Sequence, residues 1–133
     1  MNKVYEYTES ILGKDLVIGE TDCNWIAANY MWLYHGIEEP LAYLQGVKDN
    51  PRDYLRRSRA VEQAVNAGFV PIADHPKEGD FIILERRFWD ECAFVLNSTQ
   101  AVTCVGVDEL GNKIRKVRTV HPSQVLGIVY RKI

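Results

Sequence analysis

The chain has 133 residues, 47% of them hydrophobic and 26% charged, with a formal net charge of −2. That length points to one domain, and the composition excludes disordered, collagenous and coiled-coil chains. The slight acidity supplies no positive field for nucleic acid, and no apolar run reaches the roughly 20 residues that span a bilayer.

The opening segment, Met1 to Tyr7, holds no apolar stretch of the signal-peptide kind. Residues Lys3 to Leu12 read as a short helix with Gly13 as its stop. Leu16 to Glu20 is a short apolar approach. Thr21 or Asp22 then caps a helix running to about His35, with Gly36 just past its end. Cys23, Ile26, Ala27, Tyr30 and Leu33 or Tyr34 form its apolar stripe. Trp25, Met31 and Trp32 fall outside that stripe, which predicts a central helix, apolar on more than one face. Pro40 to Gly46 reads as another short helix. Asn50-Pro51 opens a longer one that ends near Ala67-Gly68, with Leu55, Ala60, Val61, Ala64 and Val65 as its apolar set.

Past Phe69-Val70-Pro71-Ile72 the pattern changes. Pro76 to Asp80 is a turn, and Phe81 to Leu84 is a continuous apolar run of the buried-strand kind. Cys92 to Leu96 and Ala101 to Val107 are the next strands, separated by the turn Asn97 to Gln100. Glu109-Leu110-Gly111-Asn112 is a hairpin turn. Lys113 to Val120 returns as a basic, exposed strand. His121 to Gln124 is a turn, and Val125 to Arg131 is the last strand. Helices first and then an antiparallel meander make an α+β domain.

Chemistry concentrates at Gly19-Glu20-Thr21-Asp22-Cys23. A thiol in the first turn of a helix meets partial positive charge and unpaired N–H groups, which favour the thiolate. A cysteine nucleophile needs that form. Asp22 opposes it unless its carboxylate is spent on the cap. The plain alternative is a buried structural cysteine, because Cys23 lies on the apolar stripe. The chain has three cysteines, Cys23, Cys92 and Cys104, at wide spacing. An odd number without a CxxC pair argues against a secreted disulfide scaffold and a finger-type zinc site.

Four landmarks occur in order: Gly19-x-x-Asp22-Cys23, Ala67-Gly68-Phe69, Pro76-x-x-Gly79-Asp80-Phe81 and Val125-Leu126-Gly127-x-x-x-Arg131. In this order and spacing the chain, from about Leu16 onward, resembles the NlpC/P60 superfamily of papain-like cysteine peptidases. The likeness is to the short phage type associated with tails and virions. The resemblance implies an α+β papain-like fold as one domain over 1–133, helical to about 68 and sheet from about 69. It implies a Cys nucleophile on the central helix, a His base opening the second strand and a third polar residue on the strand after. The nucleophile maps onto Cys23. The base position falls on Cys92 or, with a shift of one residue, on Glu91, and the third falls near Thr103 or Cys104. No imidazole stands at the base position, so no side chain with a pKa near 7 is placed there to move the thiol proton. A carboxylate such as Glu91 would repel a neighbouring thiolate.

Other histidines do not map onto the role. His35 lies roughly 18 Å along the helix from Cys23 at 1.5 Å per residue. His75 precedes a turn, and His121 precedes Pro122 at a strand end. If Cys23, Cys92 and Cys104 share one pocket, three thiolates suit zinc with Glu91 or water as fourth ligand; the plainer alternative is three small buried thiols. Arg52, Arg56, Arg57 and Arg59 form one basic patch and Lys113, Arg115, Lys116 and Arg118 another, each read as a solvated face. Phe88-Trp89 lies in a loop and suits a protein interface.

The resemblance and the absent base together give three expectations. The first is a catalytically degenerate domain that acts as a structural virion or tail protein, needs no cofactor and contacts other virion proteins, in the particle or in the host cytoplasm during assembly. The second is an active cysteine peptidase or amidase on cell-wall peptides of peptidoglycan, with Cys23 as nucleophile. The third is a Cys-based zinc-binding domain.

Overall fold

The structure is a computed structural model that describes residues 2–47, 49–50, 52, 54, 59–107 and 110–133. Four helices occur among them: α1 (Asn2–Ile11), α2 (Cys23–His35), α3 (Glu39–Val47) and α4 (Ala60–Asn66). The strands are β1 (Phe69–Ile72), β2 (Phe81–Glu85), β3 (Asp90–Val95), β4 (Ala101–Thr103), β5 (Gly106–Val107), β6 (Lys113–Ile114), β7 (Arg118–Val120) and β8 (Ile128–Lys132). The class is α+β, with a six-stranded antiparallel sheet in the order β1-β8-β2-β3-β4-β7. No helix among the described residues is long and apolar enough to cross a membrane.

Helix α2 starts where its cap chemistry dictates. Asp22 is extended and its Oδ1 accepts the Trp25 N–H at 3.0 Å. At the other end Gly36 adopts φ 71°, which only glycine takes without strain, and the N–H groups of Gly36 and Ile37 close onto Trp32 and Met31. Alternation along the strands sorts the core into two faces. Phe81, Ile83, Cys92, Phe94, Val102 and Tyr130 face the helices, and Tyr30 of α2 stacks on Phe94 with centroids 4.2 Å apart. Ile82, Ala93, Val95, Ala101 and Val129 face the other way. Partly buried Ile72, Val120 and Val125 pack against that second face. Val125 lies in the β7–β8 connection, which carries the chain from the edge strand β7 to a place beside β1.

Several sequence expectations need correction. The sheet is not a plain meander: β8 inserts between β1 and β2, pairing Val129 with both Ile72 and Ile82. Phe69–Ile72, which carries no alternating pattern, is a strand because β8 supplies its partner; Pro71, which lacks an N–H, fits such an edge. The strand expected over Ala101 to Val107 ends at Thr103, and β5 and β6 form a separate two-stranded ribbon. The return strand Lys113 to Val120 is broken likewise. Its middle residue Val117 is buried and pairs with the α1–α2 connection through Gly13 N–H to Val117 O and Val117 N–H to Lys14 O. The last strand begins at Ile128 rather than Val125, because Gly127 at φ 143° turns the chain against the backbone of Ile83.

The single helix expected from Asn50 to Ala67 is interrupted: Arg59 is non-helical at ψ 133°, and α4 begins after it. Pro51, Leu55, Arg56 and Arg57 of that reading lie outside the described residues, as does Glu109 of the hairpin turn. Arg59 leaves the helical path to reach β3. Its Nε and Nη2 donate to Asp90 Oδ1 at 3.0 and 2.6 Å, and Asp90 Oδ2 accepts the Val61 N–H at 3.0 Å. Arg59 also donates to the carbonyls of Arg86 and Trp89. It is a clamp between α4 and the β2–β3 hairpin, not a member of a solvated basic face. Val65, expected in the apolar set, is 54% exposed.

Candidate functional site

The first turn of α2 sits over the sheet where β3 and the end of β4 run side by side. Register decides which side chains it meets. Ala93 pairs with Thr103, so the residues one step away, Cys92 and Cys104, are neighbours on the helix face. Glu91 and Thr103 belong by alternation to the opposite face. Of the five site candidates, the structure therefore brings Cys23, Cys92 and Cys104 together and turns the other two away. Glu91 accepts from Arg86 Nε at 3.0 Å and from Trp89 Nε1 at 3.4 Å. Thr103 Oγ1 donates to backbone carbonyls, that of Cys92 at 3.1 Å among them.

The thiols are free and buried, with Cys23 only 6% exposed. Cys23 Sγ and Cys104 Sγ are 3.0 Å apart, and Cys92 Sγ donates to the Cys23 carbonyl at 3.4 Å. The Cys104 thiol first, and then Cys92, lower the pKa of Cys23 well below the ordinary thiol range, against the opposing effect of burial. The same contacts, together with burial, raise Cys92 and Cys104.

Asp22 is spent on structure. Besides the Trp25 N–H it accepts the Gly19 N–H at 2.6 Å and the Tyr54 hydroxyl at 2.9 and 2.7 Å. Burial raises its pKa, and these donors act against that rise. Tyr54, fully buried, was invisible to sequence reasoning as a site residue: it lies 32 positions from Asp22, outside any motif. Tyr7 is a second such residue. Its hydroxyl is buried without a hydrogen-bond partner, and its pKa is raised by burial first and then by Tyr30, Asp22 and Cys104.

No imidazole serves this cluster among the described residues. His35 sits at the far end of α2 with Nε2 2.8 Å from Gly79 O, and burial lowers its pKa. His121 is exposed and caps the turn Pro122–Gln124, its Nδ1 accepting the Ser123 N–H at 3.2 Å. His75 is exposed. The described residues also contain no group of three or more His, Cys, Asp or Glu side chains arranged to hold a metal ion. Cys23 Sγ and Cys104 Sγ, 3.0 Å apart, stand closer than the roughly 3.8 Å that two thiolates on one tetrahedral zinc ion require. An open depression of about 430 Å³ lies between Ile72–His75 and Gly127–Val129, and none of the three thiols lines it.

Two landmarks meet elsewhere. Asp80 accepts from Arg131 Nε at 3.0 Å and Nη2 at 2.8 Å, and caps its own turn through the Lys77 N–H. This pair ties the entry of β2 to β8. At the β2–β3 tip Phe88 is 69% exposed and Trp89 51%, with Arg87 Cζ 5.1 Å from the Phe88 ring centroid. No family model, no curated protein and no solved structure matches the chain.

Proposed function

We propose that the chain is a catalytically silent papain-like domain of the NlpC/P60 type, serving as a structural component of a phage tail or virion through protein–protein contacts. The observation that carries the loss of catalysis is the occupant of the base position. Of the two residues to which the resemblance assigns it, Cys92 is buried with its S–H on the Cys23 carbonyl, and Glu91 lies on the opposite face, held by Arg86. Peptide cleavage needs a group that takes the thiol proton and returns it to the leaving amine near neutral pH. A thiol whose pKa is raised does neither. Cys23 is covered, so a peptide carbonyl has no approach to its sulfur. The structural role rests on the resemblance, and the exposed Phe88-Trp89 tip supplies an aromatic anchor of the kind interfaces use.

One feature favours the second reading, an active peptidase or amidase on cell-wall peptides: Cys23 opens helix α2, and the neighbouring thiols of Cys104 and Cys92 lower its pKa. Two measurements separate the readings. The first is incubation of the pure protein and its Cys23→Ser variant with peptidoglycan fragments. The silent reading expects no hydrolysis by either; Cys23-dependent hydrolysis overturns it. The second is mass spectrometry of purified particles from a phage that encodes this chain. Presence of the chain in a fixed ratio to the tail or capsid proteins is expected, and its absence from particles overturns the structural role.

A further inference from the structure

The thiol cluster has a chemistry that needs neither a substrate nor a base. The sulfurs of Cys23 and Cys104 are 3.0 Å apart although 81 positions separate the residues in sequence. A disulfide bond is about 2.05 Å long, so the two sulfurs need close by only roughly 1 Å to bond. Cys92 differs: its S–H is held on the Cys23 backbone carbonyl, a hydrogen bond that a disulfide to Cys92 would break. That favours the Cys23–Cys104 pair.

We propose that Cys23 and Cys104 are an oxidation site, a thiol pair that a peroxide converts reversibly into an intramolecular disulfide while Cys92 stays reduced. In the first step the Cys23 sulfur attacks one oxygen of hydrogen peroxide. The O–O bond breaks, an S–O bond forms, and the departing hydroxide takes the Cys23 thiol proton, so the products are Cys23 sulfenic acid and water. In the second step the Cys104 sulfur attacks the Cys23 sulfur. The S–S bond forms, the S–O bond breaks, and a second water leaves with the Cys104 proton. Two electrons pass from the sulfur pair to the peroxide, and an external dithiol returns them. Cys23 keeps 6% of its surface exposed, and hydrogen peroxide is far smaller than a peptide. The bond ties the first residue of α2 to the segment after β4 and consumes the Cys23 thiol. The proposal goes beyond the structural reading and does not depend on it.

The test uses the full chain, reduced and desalted, then treated with a small excess of hydrogen peroxide. Remaining thiols are alkylated in denaturant, and the digest is mapped by mass spectrometry without reduction. The expected result is a Cys23–Cys104 linked peptide, one alkylated thiol at Cys92, and a Tm raised by about 5–15 °C. Dithiothreitol reverses both changes. The Cys92→Ser variant should form the same bond, and in Cys104→Ser the Cys23 sulfenic acid should be trapped by dimedone. The proposal is overturned if all three thiols of the wild-type chain remain alkylatable. A bond to Cys92, a bond between two chains, or Cys23 driven to sulfinic acid with Cys104 free has the same force. The wild-type map alone decides the matter if either variant fails to fold.

Discussion

At the scale of the residue, neighbours decide what a titratable group contributes. His35 has the composition-level look of a surface residue, yet it packs edge-on to Phe69, at 5.0 Å between centroids, and bonds to Gly79 O. Burial lowers its pKa from 6.5, with the nearby Lys132 charge acting in the same direction. The unfolded chain therefore binds more protons than the folded one just below pH 6.5. Stability is present in full above that pH and is lost as pH falls toward the folded value. Urea midpoints measured between about pH 7.5 and 5 should decline for the wild type and decline less for His35→Gln, which keeps a donor for Gly79 O. Parallel profiles for the two proteins would show that His35 does not carry the effect. Asp22 makes the same point about neighbours: its cap role follows from its place before an apolar helix, but its partner Tyr54 does not.

At the scale of the element, two joints hold strands and helices in place. Asp90 is buried and serves both Arg59 and the first turn of α4. Removing its carboxylate strips Arg59 of its counter-charge and leaves the Val61 N–H without its acceptor. Asp90→Ala should cost about 2–3 kcal/mol, less than the roughly 3–5 kcal/mol of a fully buried broken pair because Arg59 is partly solvated. Chemical denaturation checks this, and a double-mutant cycle with Arg59→Ala should return a coupling well above the roughly 0.5 kcal/mol of independent sites. Gly127 is the second joint. A Cβ there would lie 2.7 Å from both the carbonyl carbon and oxygen of Ile83, at φ 143°. Backbone cannot yield as a side-chain tip can, so Gly127→Ala should destabilise by more than about 2 kcal/mol. A loss below about 0.5 kcal/mol would show that β8 can shift at no cost. Glycine at this position was legible in the sequence; the backbone it must pass was not.

At the scale of the whole molecule, the sheet is closed by its last strand. β8 lies between β1 and β2, and β1 has no other partner in the sheet among the described residues. Ending the chain after Gly127 would strip β1 from the sheet and expose Phe69, Phe81 and Ile82, all buried beside it. The truncated chain should show no cooperative thermal transition, by calorimetry or near-ultraviolet circular dichroism. A sharp transition within a few degrees of the full chain would mean that residues 2–127 form the folding unit alone. Such pairing of distant segments slows folding, because the loop must close before the contacts form.

Local signals determined much by themselves. Cap residues, glycine stops and the period of 3.6 located α1, α2 and α3, since each depends on groups within a turn or two. Continuous apolar runs located β2 and β3 for the same reason. The four landmarks and the three cysteines were visible as well, and with them the place where a thiol meets a helix N-terminus. Tertiary structure decided the rest. Which of Glu91 and Cys92, or Thr103 and Cys104, faces Cys23 is a matter of register, and a slip of one residue exchanges them. The strand character of Phe69–Ile72, the broken return strand and the break at Arg59 each depend on a partner far along the chain: β8, the α1–α2 connection and Asp90. A sequence states what each residue can pair with over a few positions. Only folding selects among distant partners, because the free energy that selects them is released when the two faces of the sheet are buried.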